Sequence, residues 1–137
     1  MTRKKLIKKI CKEVLNDGKL SIQKMQSCTE CHREKYKSGL YFLYNNKKKC
    51  IYVGMVGNGN NVSLYMRMIG NGSGSHATKD SRWYFHVAYG YWHKFDLSDS
   101  ELATLERLAI VGMKQPIYND KDTDHITIDS LCEKLGY

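Results

Sequence analysis

The sequence predicts an α+β fold in which a small three-stranded antiparallel sheet is flanked by helices. Residues 39–45 and 49–55 are two short apolar segments joined by the polar residues 45–48, a pattern typical of a β-hairpin. Residues 99–113 repeat apolar side chains at helical spacing, directly after a capping-box pattern that begins at Ser98. Strand and helix signals within one short chain favour a mixed architecture.

The predicted hairpin places two tyrosines on one face of the sheet. If Asn46 and Lys47 are the two turn residues, Tyr41 lies directly opposite Tyr52. A turn of another even length changes the partner but keeps both tyrosines on that face, whereas a bulge would break this inference.

The other elements follow from apolar spacing and from turn residues. Leu6, Ile10 and Val14 recur among lysines, which is typical of an amphipathic helix with a narrow apolar stripe. The further elements predicted are a helix over 3–16, a short helix within 19–38, a helix over 62–69, a third strand over 83–89, and a last short helix that Thr127 or Asp129 caps and that ends near Leu135.

The chain length of 137 residues fits one compact domain. Within it we distinguish three parts: a basic helical N-terminal extension (1–38), a core (39–120), and a C-terminal loop with a short helix (121–137).

The charge of the chain is strongly uneven. The net charge is +8. Residues 1–37 hold 11 basic and 4 acidic side chains, residues 38–95 hold 7 and 1, and residues 96–137 hold 4 and 9. A basic first two-thirds beside an acidic tail is typical of a polyanion-binding protein, although a solubilising charge excess explains the charge equally well.

The cysteine pattern and the mean hydropathy predict the cellular compartment of the protein. The five cysteines are an odd number without the spacing of a disulfide framework, so we expect reduced thiols in an intracellular, cytoplasmic protein. The mean hydropathy is −0.54, and no apolar run approaches the roughly 20 residues of a bilayer span, so no membrane partner is expected.

Glu106 is the most informative single residue. The apolar stripe of the helix over 99–113 includes Leu102 and Ile110, and Glu106 lies four residues from each. A carboxylate that faces a core is costly unless it is paired or binds a metal. The competing interpretation is an ordinary ion pair, with Arg67 or Arg107 as the partner.

Five sequence elements, taken in order, resemble the GIY-YIG nuclease family. They are Gly39-Leu40-Tyr41, Tyr52-Val53-Gly54, Arg67 on the next helix, Glu106 on a later helix, and Pro116-Ile117-Tyr118-Asn119. The middle residues Leu40 and Val53 depart from the family's isoleucine but remain apolar. The stretch between Gly54 and Arg67 is longer than in compact members, which leaves Arg82 as the alternative arginine.

The resemblance implies a DNA endonuclease with one divalent metal ion, Mg²⁺ or Mn²⁺, held by Glu106. It implies that Tyr41 or Tyr52 activates the attacking water, and that Arg67 neutralises the phosphate in the transition state. Asn119 would orient Glu106. His76 and Lys79 lie in a loop where several members place an auxiliary His or Lys.

The expected partner is double-stranded DNA. Phosphate contacts are expected from the N-terminal segment and from the loop over 70–82. The residues predicted to make them are Lys4, Lys5, Lys8, Lys79 and Arg82. Because one site cuts one strand, cleavage of both strands favours a homodimer or a larger homo-oligomer. A small chain without partner domains is more typical of a restriction, phage or mobile-element enzyme.

Three alternatives compete with this interpretation of the sequence. A non-catalytic nucleic-acid-binding protein on the same scaffold would lack at least one of the site residues. A zinc module could use Cys28, Cys31 and His32, but this half-site needs Cys11 or Cys50 to complete it. A pure protein-interaction domain would leave the position of Glu106 unexplained.

Overall fold

The computed structural model describes residues 1–26, 35–59, 64, 86–114, 116 and 129–137. Its elements, in chain order, are α1 (Arg3–Asn16), β1 (Lys19–Ser21), α2 (Ile22–Gln26), β2 (Gly39–Tyr44), β3 (Cys50–Val56), β4 (Tyr89–Lys94), α3 (Asp99–Gly112) and α4 (Asp129–Leu135). The fold is therefore α+β, as the sequence predicts.

The strands form one four-stranded antiparallel sheet in the order β1-β4-β2-β3. The prediction of three strands was wrong, because β1 adds a short edge strand. Only three residues long, β1 alternates exposed and half-buried side chains. Its place in the sheet rests on backbone pairing with β4, and so short a polar segment has no apolar periodicity that marks it as a strand.

The hairpin strands lie where they were predicted, but their register differs. Tyr41 pairs with Gly54, whereas Tyr52 pairs with Leu43. The connection has three residues instead of two, with Lys48 in the left-handed region at φ 62°. A register irregularity follows between Leu43 and Tyr44. The irregularity lies between the turn and the Leu43–Tyr52 pair, so the pairing from Leu43 back to Gly39 is regular. Within this regular part both tyrosines point to the same face, and that prediction is confirmed.

The third predicted strand is displaced along the chain. Among residues 83–89, the structure describes only 86–89, and the strand itself is β4, which begins at Tyr89. The chain enters it through a hydrogen bond from the Ala88 N–H to the Tyr44 carbonyl (2.8 Å). Because β4 lies between two strands and includes Gly90, His93 and Lys94, its sequence lacks a regular apolar alternation.

The helices agree closely with the predictions. Helix α1 spans the predicted residues, and α3 begins with the predicted capping box, in which the Ser98 hydroxyl accepts from the Glu101 N–H and the Glu101 carboxylate accepts from the Ser98 N–H. Helix α4 ends at Leu135. Of the predicted helix over 62–69, only Leu64 is described, and it is helical. No helix among the described residues has the length and apolar character needed to cross a bilayer.

The sheet divides the core into two parts. Leu40 and Phe42 point to the side packed by α1 and α3, which we call the helix-covered face. Tyr41, Tyr52 and Trp92 belong to a separate buried cluster on the other side, which we call the aromatic face. Alternation along the strands produces this division, since neighbouring side chains point to opposite sides of a sheet.

Candidate active site

The two predicted tyrosines meet on the aromatic face. Their ring centroids are 6.1 Å apart and the rings are tilted by 39°. Tyr41 and Tyr52 are diagonal neighbours on β2 and β3, a relation that lets long side chains touch across a strand pair. They are 1% and 7% exposed, so the pair lies within the packed structure.

The glycine of each tripeptide is required by close packing. A Cβ on Gly54 would overlap the ring and the hydroxyl of Tyr41, so the Tyr41 ring lies across the bare backbone of β3. A Cβ on Gly39 would overlap the His93 carbonyl and the Trp92 ring. The absence of a side chain at both positions allows Tyr41 and Trp92 to lie close to the sheet.

Trp92 and Tyr36 extend the aromatic cluster around the tyrosine pair. Trp92 pairs with Tyr41 across β2 and β4, and its ring meets the edge of Tyr36 at 5.5 Å. The Leu64 N–H donates to the Tyr36 carbonyl (3.3 Å), and the Leu64 side chain is fully buried in the same cluster. Sequence reasoning missed both aromatic neighbours. The spacing of residues 89–94 carries no strand signal that could have placed Trp92, because β4 lacks a regular apolar alternation.

Glu106 is buried, as its helical position predicts. It is 3% exposed on α3, among neighbours such as Leu102, Leu105 and Ala109, which belong to the core of the helix-covered face. Glu106 has a hydrogen-bonding or electrostatic partner. Helix α3 contacts both strands that carry the tyrosines, but it packs on the helix-covered face, whereas the tyrosine pair belongs to the aromatic face.

The remaining predicted site residues fall outside the described residues. They are Arg67, His76, Lys79, Arg82 and Asn119. The choice between Arg67 and Arg82 therefore stays as the sequence left it. Leu64, three residues before Arg67 in the sequence, is buried in the cluster of the aromatic face.

The predicted DNA-binding lysines of the N-terminal segment are on the surface. Lys4, Lys5 and Lys8 are all exposed on α1. Because α1 packs on the helix-covered face, these lysines and the tyrosine pair lie on opposite sides of the sheet.

The described residues contain no cluster of ligands suited to a metal ion. Within the described ranges, no group of three or more His, Cys, Asp or Glu side chains could hold a metal ion. A single buried carboxylate such as Glu106 still suits Mg²⁺, which retains most of its waters and needs only one or two protein carboxylates.

The zinc alternative needs Cys11 or Cys50 as a further ligand, and both cysteines are core residues. Cys28, Cys31 and His32 lie outside the described residues. Cys11 and Cys50 are buried in the core of the helix-covered face, where burial raises the pKa of each thiol to about 12. Zinc binds the thiolate form, so both cysteines are better suited to core packing than to metal binding.

In comparisons with known proteins, no family model, no curated protein and no solved structure matches this chain.

Proposed function

We propose that this chain is a divalent-metal-dependent DNA endonuclease of the GIY-YIG type, which hydrolyses phosphodiester bonds. The observation that carries the proposal is the contact between Tyr41 and Tyr52 across Gly54. All three residues belong to the two tripeptides on which the resemblance rests. Their packing gives a physical reason for a Tyr and a Gly at these positions.

Glu106 is the residue that would hold the metal ion. Its carboxylate is of the hard oxygen type that Mg²⁺ and Mn²⁺ prefer, and it is carried by the helix that contacts both strands of the hairpin. When bound, the metal would supply positive charge that stabilises the phosphoryl group and the leaving oxygen.

The tyrosine pair would orient the attacking water and accept its proton. A free phenol has a pKa near 10, so proton transfer near neutral pH requires positive charge close to one hydroxyl. By the resemblance, Arg67, His76 or Lys79 would provide such charge, and Arg67 would also neutralise the non-bridging oxygens of the phosphate. Asn119 would orient the Glu106 carboxylate.

The partner we propose is double-stranded DNA. The net charge of +8 favours a polyanion, and Lys4, Lys5 and Lys8 offer exposed phosphate contacts. These lysines lie across the sheet from the tyrosine pair, so contacts beside the scissile phosphate would come from Lys79 and Arg82. A homodimer would bring two sites to the two strands of a duplex.

Plasmid cleavage in the presence of Mg²⁺ tests the proposal. The native chain should nick or linearise supercoiled DNA, and Glu106→Gln should lower the rate by roughly 100-fold or more through loss of the metal-binding charge. Glu133→Gln is the matched control, because Glu133 is an exposed glutamate on α4 and its loss should leave the rate unchanged.

Two different results would contradict the proposal. If the native chain leaves supercoiled, linear and single-stranded DNA intact at high concentration, the nuclease proposal is wrong. Binding without cleavage would then favour the non-catalytic alternative. If Glu106→Gln cuts as fast as the native chain, the assigned site is wrong.

A further inference from the structure

A cavity of about 750 Å³ opens where the hairpin turn meets the end of α3. Its described walls include Tyr44, Cys50 and Met113, and three lysines line it: Lys48, Lys49 and Lys114. The volume lies in the range of roughly 300–1,000 Å³ that is usual for ligand sites. Since Tyr44 and Cys50 belong to the helix-covered side of the sheet, the cavity is separate from the tyrosine pair.

Two of the three lysines occupy backbone positions where glycine is the usual residue. Lys48 closes the hairpin turn at φ 62°, and Lys114 follows the end of α3 at φ 61°. The left-handed conformation is unfavourable for a residue with a Cβ, and glycine or asparagine is the common residue in both settings. A lysine at each turn adds a positive charge at the same cavity despite that cost.

The described lining residues of the cavity carry no negative charge. None of them is a carboxylate. Burial raises the pKa of Tyr44 above its ordinary value, with a smaller contribution from Cys50, and burial raises the pKa of the Cys50 thiol to about 12. Tyr44 and Cys50 are therefore neutral near pH 7, and the charges that the described lining residues offer an anion are those of the lysines.

Tyr44 supplies an aromatic wall beside the lysines. Its ring stacks on Tyr89 at 5.3 Å and 13°, and meets the edge of Tyr91 at 5.3 Å. The Lys19 ammonium lies 4.0 Å from the centre of the Tyr89 ring. An aromatic ring held rigidly next to clustered cations is the combination that single-stranded nucleic acids use, with bases on rings and phosphates on lysines.

We propose that this cavity binds a single nucleic-acid strand, with phosphates at Lys48, Lys49 and Lys114 and a base beside Tyr44. The cavity lies on the side of the sheet opposite the tyrosine pair, and no lysine of α1 is among its described lining residues. This binding requires no cleavage and does not depend on the proposed nuclease activity.

Fluorescence anisotropy with a labelled oligothymidylate in EDTA tests this binding without catalysis. Lys48→Glu combined with Lys114→Glu should weaken binding at least tenfold. The matched control is Lys12→Glu combined with Lys47→Glu, which changes the net charge equally at two exposed lysines that do not line the cavity. The control should weaken binding less than threefold. Equal losses in both double variants would overturn the proposal in favour of bulk charge.

A second pair of substitutions separates binding from folding. Lys48→Gly with Lys114→Gly relaxes the two left-handed positions, so Tm should stay equal or rise while affinity falls. The slope of log K against log salt should become shallower by about 1.4, since each phosphate contact on a single strand contributes about 0.7. The alternative is that Lys114 only offsets the partial negative charge at the end of α3. An unchanged salt slope would support that alternative and overturn the strand proposal.

Competition identifies the ligand. Unlabelled oligothymidylate should displace the probe at much lower phosphate concentration than pyrophosphate does, because only the strand offers a base to Tyr44. Equal displacement per phosphate would indicate a site for small anions and would overturn the proposal of a strand.

Discussion

The two faces of the sheet are built from different side chains. The helix-covered face is mainly aliphatic, with α1 and α3 packed on Leu40, Phe42 and Val53. The aromatic face gathers Tyr41 and Tyr52 with Trp92 and Tyr36. Burial of either kind of side chain stabilises the fold, but buried tyrosines also carry hydroxyl groups that can do chemistry. The two faces should therefore respond differently to substitution.

The largest expected effect tests the chemistry of the aromatic face. Tyr41→Phe and Tyr52→Phe each keep the ring and remove the hydroxyl, and whichever residue accepts the proton should lose about 10²–10⁴-fold in cleavage rate. Tyr137→Phe is the control, since Tyr137 packs on the helix-covered side. Rates from single-turnover cleavage decide the question. Two fully active variants would remove both tyrosines from the mechanism.

The next effect tests the stability of the helix-covered face. Ile10 is fully buried on α1, and Ile10→Ala should lower the free energy of unfolding by about 2–5 kcal/mol through lost burial and a cavity. Urea denaturation measures this loss. Cleavage per folded molecule should stay near the native rate, because Ile10 is not among the proposed site residues, although α1 packs on the helix that carries Glu106. A rate that falls in parallel with stability would mean that the two faces are not independent.

A glycine substitution on the aromatic face should lower both the stability of the fold and the rate of cleavage. Gly54→Ala places a methyl group against the Tyr41 ring, which should cost about 1–3 kcal/mol by overpacking. Displacement of Tyr41 should also slow cleavage by roughly 100-fold. Gly90→Ala is the matched control in β4, where the new methyl group overlaps the Phe42 carbonyl and the Met25 side chain but does not meet Tyr41, so it should lower stability without the same loss of cleavage rate. Native activity in Gly54→Ala would show that the position of Tyr41 is unimportant.

The smallest effect concerns the cap of the helix that carries Glu106. The Glu101 carboxylate accepts from Lys134 (2.9 Å) and from the Ser98 hydroxyl (2.7 Å) and N–H (3.0 Å). These contacts, with Lys134 first, lower the pKa of Glu101 from 4.5 to about 2. Because the pKa is lowered on folding, the stabilisation is complete above about pH 4.5 and is lost as the pH falls towards 2.

Thermal unfolding of Glu101→Gln across pH measures this cap. Its Tm should lie below that of the native chain at pH 7, and the two values should converge near pH 2. Glu133→Gln should follow the native curve throughout, since Glu133 is exposed. A gap in Tm of the same size at pH 7 and at pH 2 would show that the charge of Glu101 is not what stabilises the cap.

Local patterns predicted much of the fold and part of the candidate site. The capping box at Ser98 and the apolar spacing behind it predicted α3 and the burial of Glu106, and the structure confirms both. The shared face of Tyr41 and Tyr52 was also predictable, since it depends only on strand alternation. The third strand was misplaced because β4 lies between two strands and lacks a regular apolar alternation.

What the sequence determined by itself is therefore α1, α3, α4, the hairpin and the shared face of Tyr41 and Tyr52, because these depend on spacing within a few residues. Only the tertiary structure decided the register that places Tyr41 on Gly54, the addition of β1 to the sheet, and the meeting of Lys48 with Lys114 at one cavity. These features arise from packing between segments distant in the chain. A turn geometry, an edge pairing or a cavity wall of this kind has no periodic signature in the sequence.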